Sequence, residues 1–177
     1  MRKQKGFSLI ELLIVVAIIL IIAAIAIPNL MKSKQVSNQS AAAATIRTVI
    51  TAEHLFSDTY YPTSTGFADT LGRRGPGAPA CAGPGTQLNP CLIDFTLGCG
   101  AGPCPKDAYD YTLTGIGAFP STDFVVFATP ISITQGTNNY CAAGSDGTIR
   151  IAPSSATPPD TAILTVAGCQ AAPYQPL

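Results

Sequence analysis

Residues Phe7 to Ile27 read FSLIELLIVVAIILIIAAIAI, a run of 21 residues whose only charge is Glu11. A helix rises 1.5 Å per residue, so this stretch spans about 30 Å, the thickness of a bilayer core. Arg2, Lys3 and Lys5 precede it. By the positive-inside rule they place the N-terminus in the cytoplasm and the rest of the chain across the inner membrane. Whatever follows must therefore fold as a tethered body. Glu11 is the anomaly, because an acid at the centre of a membrane helix costs roughly 2.5–3.5 kcal/mol, and less near an end.

Three readings of this segment differ in how they treat that acid. A secretory signal would be cut after Ala24-Ile25-Ala26, which matches the A-x-A pattern. Signal cores, however, run about 7 to 15 residues and do not welcome a charge. A plain single-pass anchor fits the length but leaves Glu11 unexplained. Cleavage between Gly6 and Phe7 accounts for more. It frees an α-amino group on Phe7 and removes three of the ten Lys and Arg residues, leaving seven against ten Asp and Glu. The new ammonium lies four residues from Glu11, one helical turn away, and Glu11 then sits at the positive end of the helix dipole.

On those residues, MRKQKGFSLIELLIVVAIILIIAAIAIP resembles the class III leader and N-terminal helix of type IV pilins and of type II secretion pseudopilins. The resemblance is close over about residues 1 to 60. It implies that a prepilin peptidase cuts after Gly6 and methylates Phe7. It also implies that Glu11 is the assembly residue at the fifth mature position and that Pro28 kinks the helix. The fold it implies is α+β: a long N-terminal helix packed on a small antiparallel sheet. The implied partners are further copies of the chain, the peptidase/methylase, an inner-membrane platform protein and an assembly ATPase.

The rest of the chain reads compatibly. The expected organisation is a leader over 1–6, a membrane and filament-core helix over 7–27, an amphipathic half-helix over 28–60 and a globular head over 61–177. Ala42, Ile46, Val49, Ala52 and Phe56 recur at helical spacing, one face of an amphipathic helix. Lys32, Lys34, Arg47 and Glu53 fall off that stripe and read either as a solvated face or as residues some of which contact neighbouring subunits. His54 reads as a surface helix residue. Pro62 ends the helix, because the residue before a proline avoids helical geometry.

Tyr109, Tyr111 and Leu113 alternate with polar residues as a half-buried strand, and DFVVFAT over 123–129 is a more apolar one. Asn139–Ala142 and Thr148–Ile151 flank an Asp-Gly turn, the signal of a hairpin. Ile163–Val166 is a further short strand in this reading. Three or four antiparallel strands are expected.

All six cysteines follow residue 80, after a membrane segment, which points to export and disulfides. Cys81, Cys91, Cys99 and Cys104 have nine, seven and four residues between them, so a single interval falls within zinc-pair spacing and disulfides are the better reading. They fall in a Gly/Pro-rich loop over 73–105 that has little to hold it without cross-links. Pairing in order (Cys81–Cys91, Cys99–Cys104) is the simplest choice, although six cysteines allow fifteen connectivities. Cys141 and Cys169 enclose a C-terminal loop similar to the one that many type IV pilins close with a disulfide.

Nothing in the sequence carries a catalytic motif, so no enzyme is expected, and zero formal charge gives no basic patch for nucleic acid. No cofactor is expected. Calcium is a weak option, since Asp146 and Asp160 fall short of the six to eight oxygens it takes. The function implied is a structural pilus subunit, first held in the inner membrane and then assembled in a periplasmic or surface filament. The alternatives are a pseudopilin driving type II secretion, an adhesive minor subunit using the 73–105 loop, or a plain anchored protein.

Overall fold

Helix α1 runs from Leu9 to Tyr60 without interruption, 52 residues that include Pro28. The computed structural model describes residues 7–62, 66–73, 87, 90–99, 103–154 and 165–177. These divide into two compact units, one ending at Lys34 and the other spanning Gln35–Leu177. The first is bare helix. Its apolar side chains are exposed on every face, Phe7 and Leu9 each to 80%. Among the described residues, α1 is long and apolar enough to cross a membrane. A helix apolar all round needs lipid or other protein about it.

The second unit is a helix on a sheet. The expected stripe of Ala42, Ile46, Val49, Ala52 and Phe56 is buried throughout. It packs on a six-stranded antiparallel sheet whose strands follow one another in sequence order. These are β1 (Cys104–Lys106), β2 (Tyr109–Ile116), β3 (Asp123–Pro130), β4 (Asn138–Ala143), β5 (Ile149–Pro153) and β6 (Gln175–Pro176). The four long strands are those expected from sequence. β1 and β6 are additions of three and two residues, each containing a proline. Proline cannot donate to a ladder, so such pieces fit only at sheet edges.

The sheet has a core on each face. Tyr109, Tyr111, Leu113, Phe124, Val126 and Ala128 face the helix stripe. Val125, Phe127, Cys141, Ala143, Ala152, Cys169 and Tyr174 form the opposite core. β3 is therefore buried from Phe124 to Thr129, which is why DFVVFAT has no polar alternation.

The far core is covered by a short helix, α2 (Val166–Gln170), capped by Thr165, whose Oγ1 accepts from Gly168 N at 3.1 Å. The strand expected over Ile163–Val166 is thus corrected at its described end. Val166 opens a helix, because the Thr165 cap satisfies an amide that an extended chain would leave free. Ile163 itself lies outside the described residues.

Glu53 is a second correction. It is fully buried, not solvated. Its Oε2 accepts the Ala68 amide at 2.9 Å, while Ser57 Oγ accepts that of Gly66 at 3.2 Å. α1 thereby supplies the acceptors that fasten the segment leaving it. His54 is exposed, as expected, with its ring edge-on to Phe67 and Phe124.

Candidate processing and assembly site

Phe7 and Ser8 precede the helix, and α1 starts at Leu9. Ser8 O accepts from Leu12 N at 3.3 Å, the first helical bond. Glu11 Oε2 reaches back to accept the Ser8 amide at 3.2 Å. This is half of a capping box: the acid at the third helical position satisfies an amide that the helix cannot. The charge of Glu11 alone does not report this capping role. The signal for its second role was present as Ser8-Leu9-Ile10-Glu11, a serine three residues before an acid at the start of an apolar run. Gly6, the expected last leader residue, lies outside the described residues.

Further along, Pro28 has no amide to give the Ala24 carbonyl, yet the backbone is helical on both sides of it. Ser33 Oγ donates to the Asn29 carbonyl at 3.0 Å just beyond.

At the other end of the chain, Cys141 of β4 and Cys169 of α2 are joined, with Cα atoms 5.9 Å apart and both residues fully buried. The linked residues are 28 positions apart in sequence, which in the chain-entropy account corresponds to roughly 3–4 kcal/mol. Cys99 and Cys104 are also joined, Cα atoms 5.6 Å apart, closing the loop onto β1. Cys91 is disulfide-bonded; the Cys81 half of the expected pair lies outside the described residues.

Asp146, one of the two calcium candidates, is engaged by protein donors. Its carboxylate accepts from Thr148 N at 3.0 Å, from both terminal nitrogens of Arg150, and from Gln170 Nε2 at 3.1 Å. The Arg150 guanidinium, first among these, holds the acid below the usual carboxylate range. Asp160, the other candidate, lies outside the described residues. No group of three or more His, Cys, Asp or Glu side chains suited to a metal occurs among the described residues.

Residues 1–27 match the family model of the prokaryotic N-terminal methylation motif, a span that takes in Gly6, Phe7 and Glu11. The chain carries a prepilin-type methylation motif. The chain is also similar to proteins of two kinds. The type IV major pilin protein PilA of Myxococcus xanthus is 46% identical over 77 residues, 41% of this chain and 35% of that protein. The type IV wide pilus major component PilA4 of Thermus thermophilus is 43% identical over 56 residues, 32% of this chain and 43% of that one. The type II secretion system core protein G of Aeromonas hydrophila is 32% identical over 80 residues, 44% of this chain and 56% of that one. The similarity thus spans between about a third and just over half the length of these relatives. No solved structure matches the chain.

Proposed function

We propose that this chain is a structural subunit of a type IV pilus or a closely related filament. The observation that carries the reading is the methylation motif opening a helix that is bare, apolar on all faces and marked by one acid. In this reading the precursor sits in the inner membrane with its N-terminus in the cytoplasm. A prepilin peptidase cuts after Gly6 and methylates Phe7. A platform protein and an assembly ATPase then move the subunit into a homopolymer. Its apolar helices pack together in the filament core, where lipid is replaced by neighbouring helices. Pro28, with its missing amide, is the point at which α1 would bend or melt to accommodate that packing.

Glu11 has two tasks in this scheme. It caps the first turn of its own helix, and it offers a carboxylate to the Phe7 ammonium of an adjacent copy. A buried ion pair adds little net stability, but it is a credible device for fixing register. In lipid the same acid is poorly accommodated, which favours departure to a growing filament.

A second reading, a pseudopilin of a type II secretion system, is favoured by the protein G match, which covers 56% of that relative. Electron microscopy of cells, with intact-mass analysis of sheared material, tests both. Long surface fibres of a chain beginning at methylated Phe7 support the pilus. Mature chain confined to the cell envelope without fibres supports the pseudopilin. A mature chain beginning after Ala26 would overturn both.

A further inference from the structure

The second unit contains four described Lys and Arg residues, and three are committed to ion pairs: Arg73 with Asp69, Lys106 with Asp94, and Arg150 with Asp146. The fourth, Arg47, stands exposed on the outer face of α1 and meets no acid among the described residues. It lines two open grooves. One is shared with Ile50, Thr51 and Leu177, the other with Ala52, Leu55 and Leu92, where Leu55 is 50% exposed. An unpaired cation therefore stands among threonine hydroxyls, with Ile50, Leu55 and Leu92 as its apolar flank.

The converse patch lies elsewhere on the same unit. Asp107 is exposed at the tip of the β1–β2 turn and has no cation partner among the described residues. Asp107 and the following Ala108 have φ values of 50° and 68°. Two left-handed residues in succession are usually Asn-Gly in such a turn, so here the backbone holds an acid outward at some steric cost. The Ala108 carbonyl accepts Ile131 N at 3.0 Å, which seats the turn against the β3–β4 connection. In that connection Ile131 and Ile133 are 52% and 59% exposed. The connection is fixed to the start of this part of α1. Gln35 and Asn38 donate to the Ile133 and Gln135 carbonyls at 3.1 and 2.9 Å, and Gln39 donates to Thr137 Oγ1 at 2.8 Å. An unpaired acid therefore stands near two exposed isoleucines, at the level of Gln35.

Arg47 is twelve residues further along the helix, roughly 18 Å of rise. The two patches are opposite in charge, each has exposed apolar side chains beside it, and they are offset along α1, so parallel copies bring them together when one is displaced along the helix axis. We infer that Asp107, with Ile131 and Ile133, docks on the Arg47 face of α1 of a second copy of this chain. Such a contact uses different surfaces on the two copies. Between parallel copies, as in the filament reading, it therefore propagates rather than closes, and its charge pair sets the stagger.

The inference rests on the filament reading above, and its test separates the two. The full-length chain is expressed with its assembly machinery as wild type, Arg47→Glu, Asp107→Asn, Asp107→Lys and the double swap Arg47→Glu/Asp107→Lys. Sheared filament is then quantified. Each single variant should lose about tenfold in yield and the double swap should recover most of it, as expected for close charge pairs across an interface. In parallel, differently tagged Arg47→Cys and Asp107→Cys chains are co-expressed and treated with a short bismaleimide. A product carrying both tags is expected. Wild-type filaments accompanied by full assembly of the single variants, or by absence of the two-tag product, would overturn this contact while leaving the filament reading intact. Absence of wild-type filaments and of any cross-linked product would overturn both.

Discussion

Gln170, the last residue of α2, donates its side-chain amide to the Asp146 carboxylate at 3.1 Å, tying the β4–β5 turn to the helix that carries Cys169. The same carboxylate is held by Arg150. The C-terminal covering of the sheet is thus fastened twice, by a covalent link through Cys141 and by a polar one through Asp146.

The polar fastening is pH-dependent in a defined direction. Arg150 lowers the Asp146 pKa in the folded state. Its contribution is therefore complete above the unfolded carboxylate value of about 3.9 and is lost as pH falls through the lower folded value. Asp146→Asn keeps one oxygen for the Thr148 amide but surrenders the charge. The pair is partly exposed, so the variant should lose only about 0.5–1 kcal/mol near neutral pH. Thermal melts of the full chain in detergent at pH 7 and pH 3 should show the difference from wild type shrinking at the lower pH. An unchanged difference would mean that the Arg150 pair is energetically silent.

Gly136 sits against the Tyr109 ring, and a Cβ there would lie 2.3 Å from the phenol oxygen. Tyr109 is fully buried, and its hydroxyl donates to the Asn138 carbonyl at 3.0 Å, so the ring has no open direction in which to retreat. Burial, with Tyr140 and Tyr111 close by, also pushes the phenol well above its ordinary range, so it stays neutral and donating. Gly136→Ala should destabilise by about 1–3 kcal/mol through overpacking. Tyr109→Phe in the same background removes the colliding oxygen and should recover part of that loss, which a double-mutant cycle measures.

Glu53 gives a prediction of a different kind. Its removal strands the buried Ala68 amide, so Glu53→Ala should cost about 1–3 kcal/mol. Glu53→Gln retains a carbonyl oxygen for that amide and should cost less. Equal losses in chemical denaturation would show that the negative charge, not the accepted hydrogen bond, secures the segment after α1.

Which of these features could be read from sequence follows from the range of the forces behind them. The stripe from Ala42 to Phe56 and the alternation Tyr109, Tyr111, Leu113 are periodic, and burial of one face is all that periodicity reports. The Asp146-Gly147 turn is legible because Gly147 takes a positive φ of 59°. β1 and β6 escaped because strands of three and two residues have no period and contain proline. Their existence depends on the edges of β2 and β5 being there to pair with. The burial of Glu53 is not legible locally, because an amide that it accepts lies fifteen residues away, a contact that no local pattern encodes. The Ser8–Glu11 cap is legible locally, since a serine three residues before an acid at a helix start places the carboxylate within reach of the serine amide.

That double character of Glu11 gives the last prediction. Its Oε2 accepts the Ser8 amide in its own chain, and in a filament its charge would answer the Phe7 ammonium of another. Glu11→Gln separates the two. It keeps an oxygen for the Ser8 amide, and therefore the first helical turn, but carries no charge. Glu11→Ala loses both, at about 0.5–2 kcal/mol of helix capping. Neither change makes the apolar run less suited to lipid, since each removes a charge that lipid accommodates poorly. Both variants should therefore accumulate in the membrane fraction. If the charge is what selects register, both should fail to give sheared filaments to a similar degree. If capping alone matters, Glu11→Gln should assemble as wild type and only Glu11→Ala should fail. Filament yield against membrane-fraction level, measured for both variants, decides between these outcomes. Normal assembly of Glu11→Ala would remove Glu11 from the assembly scheme altogether.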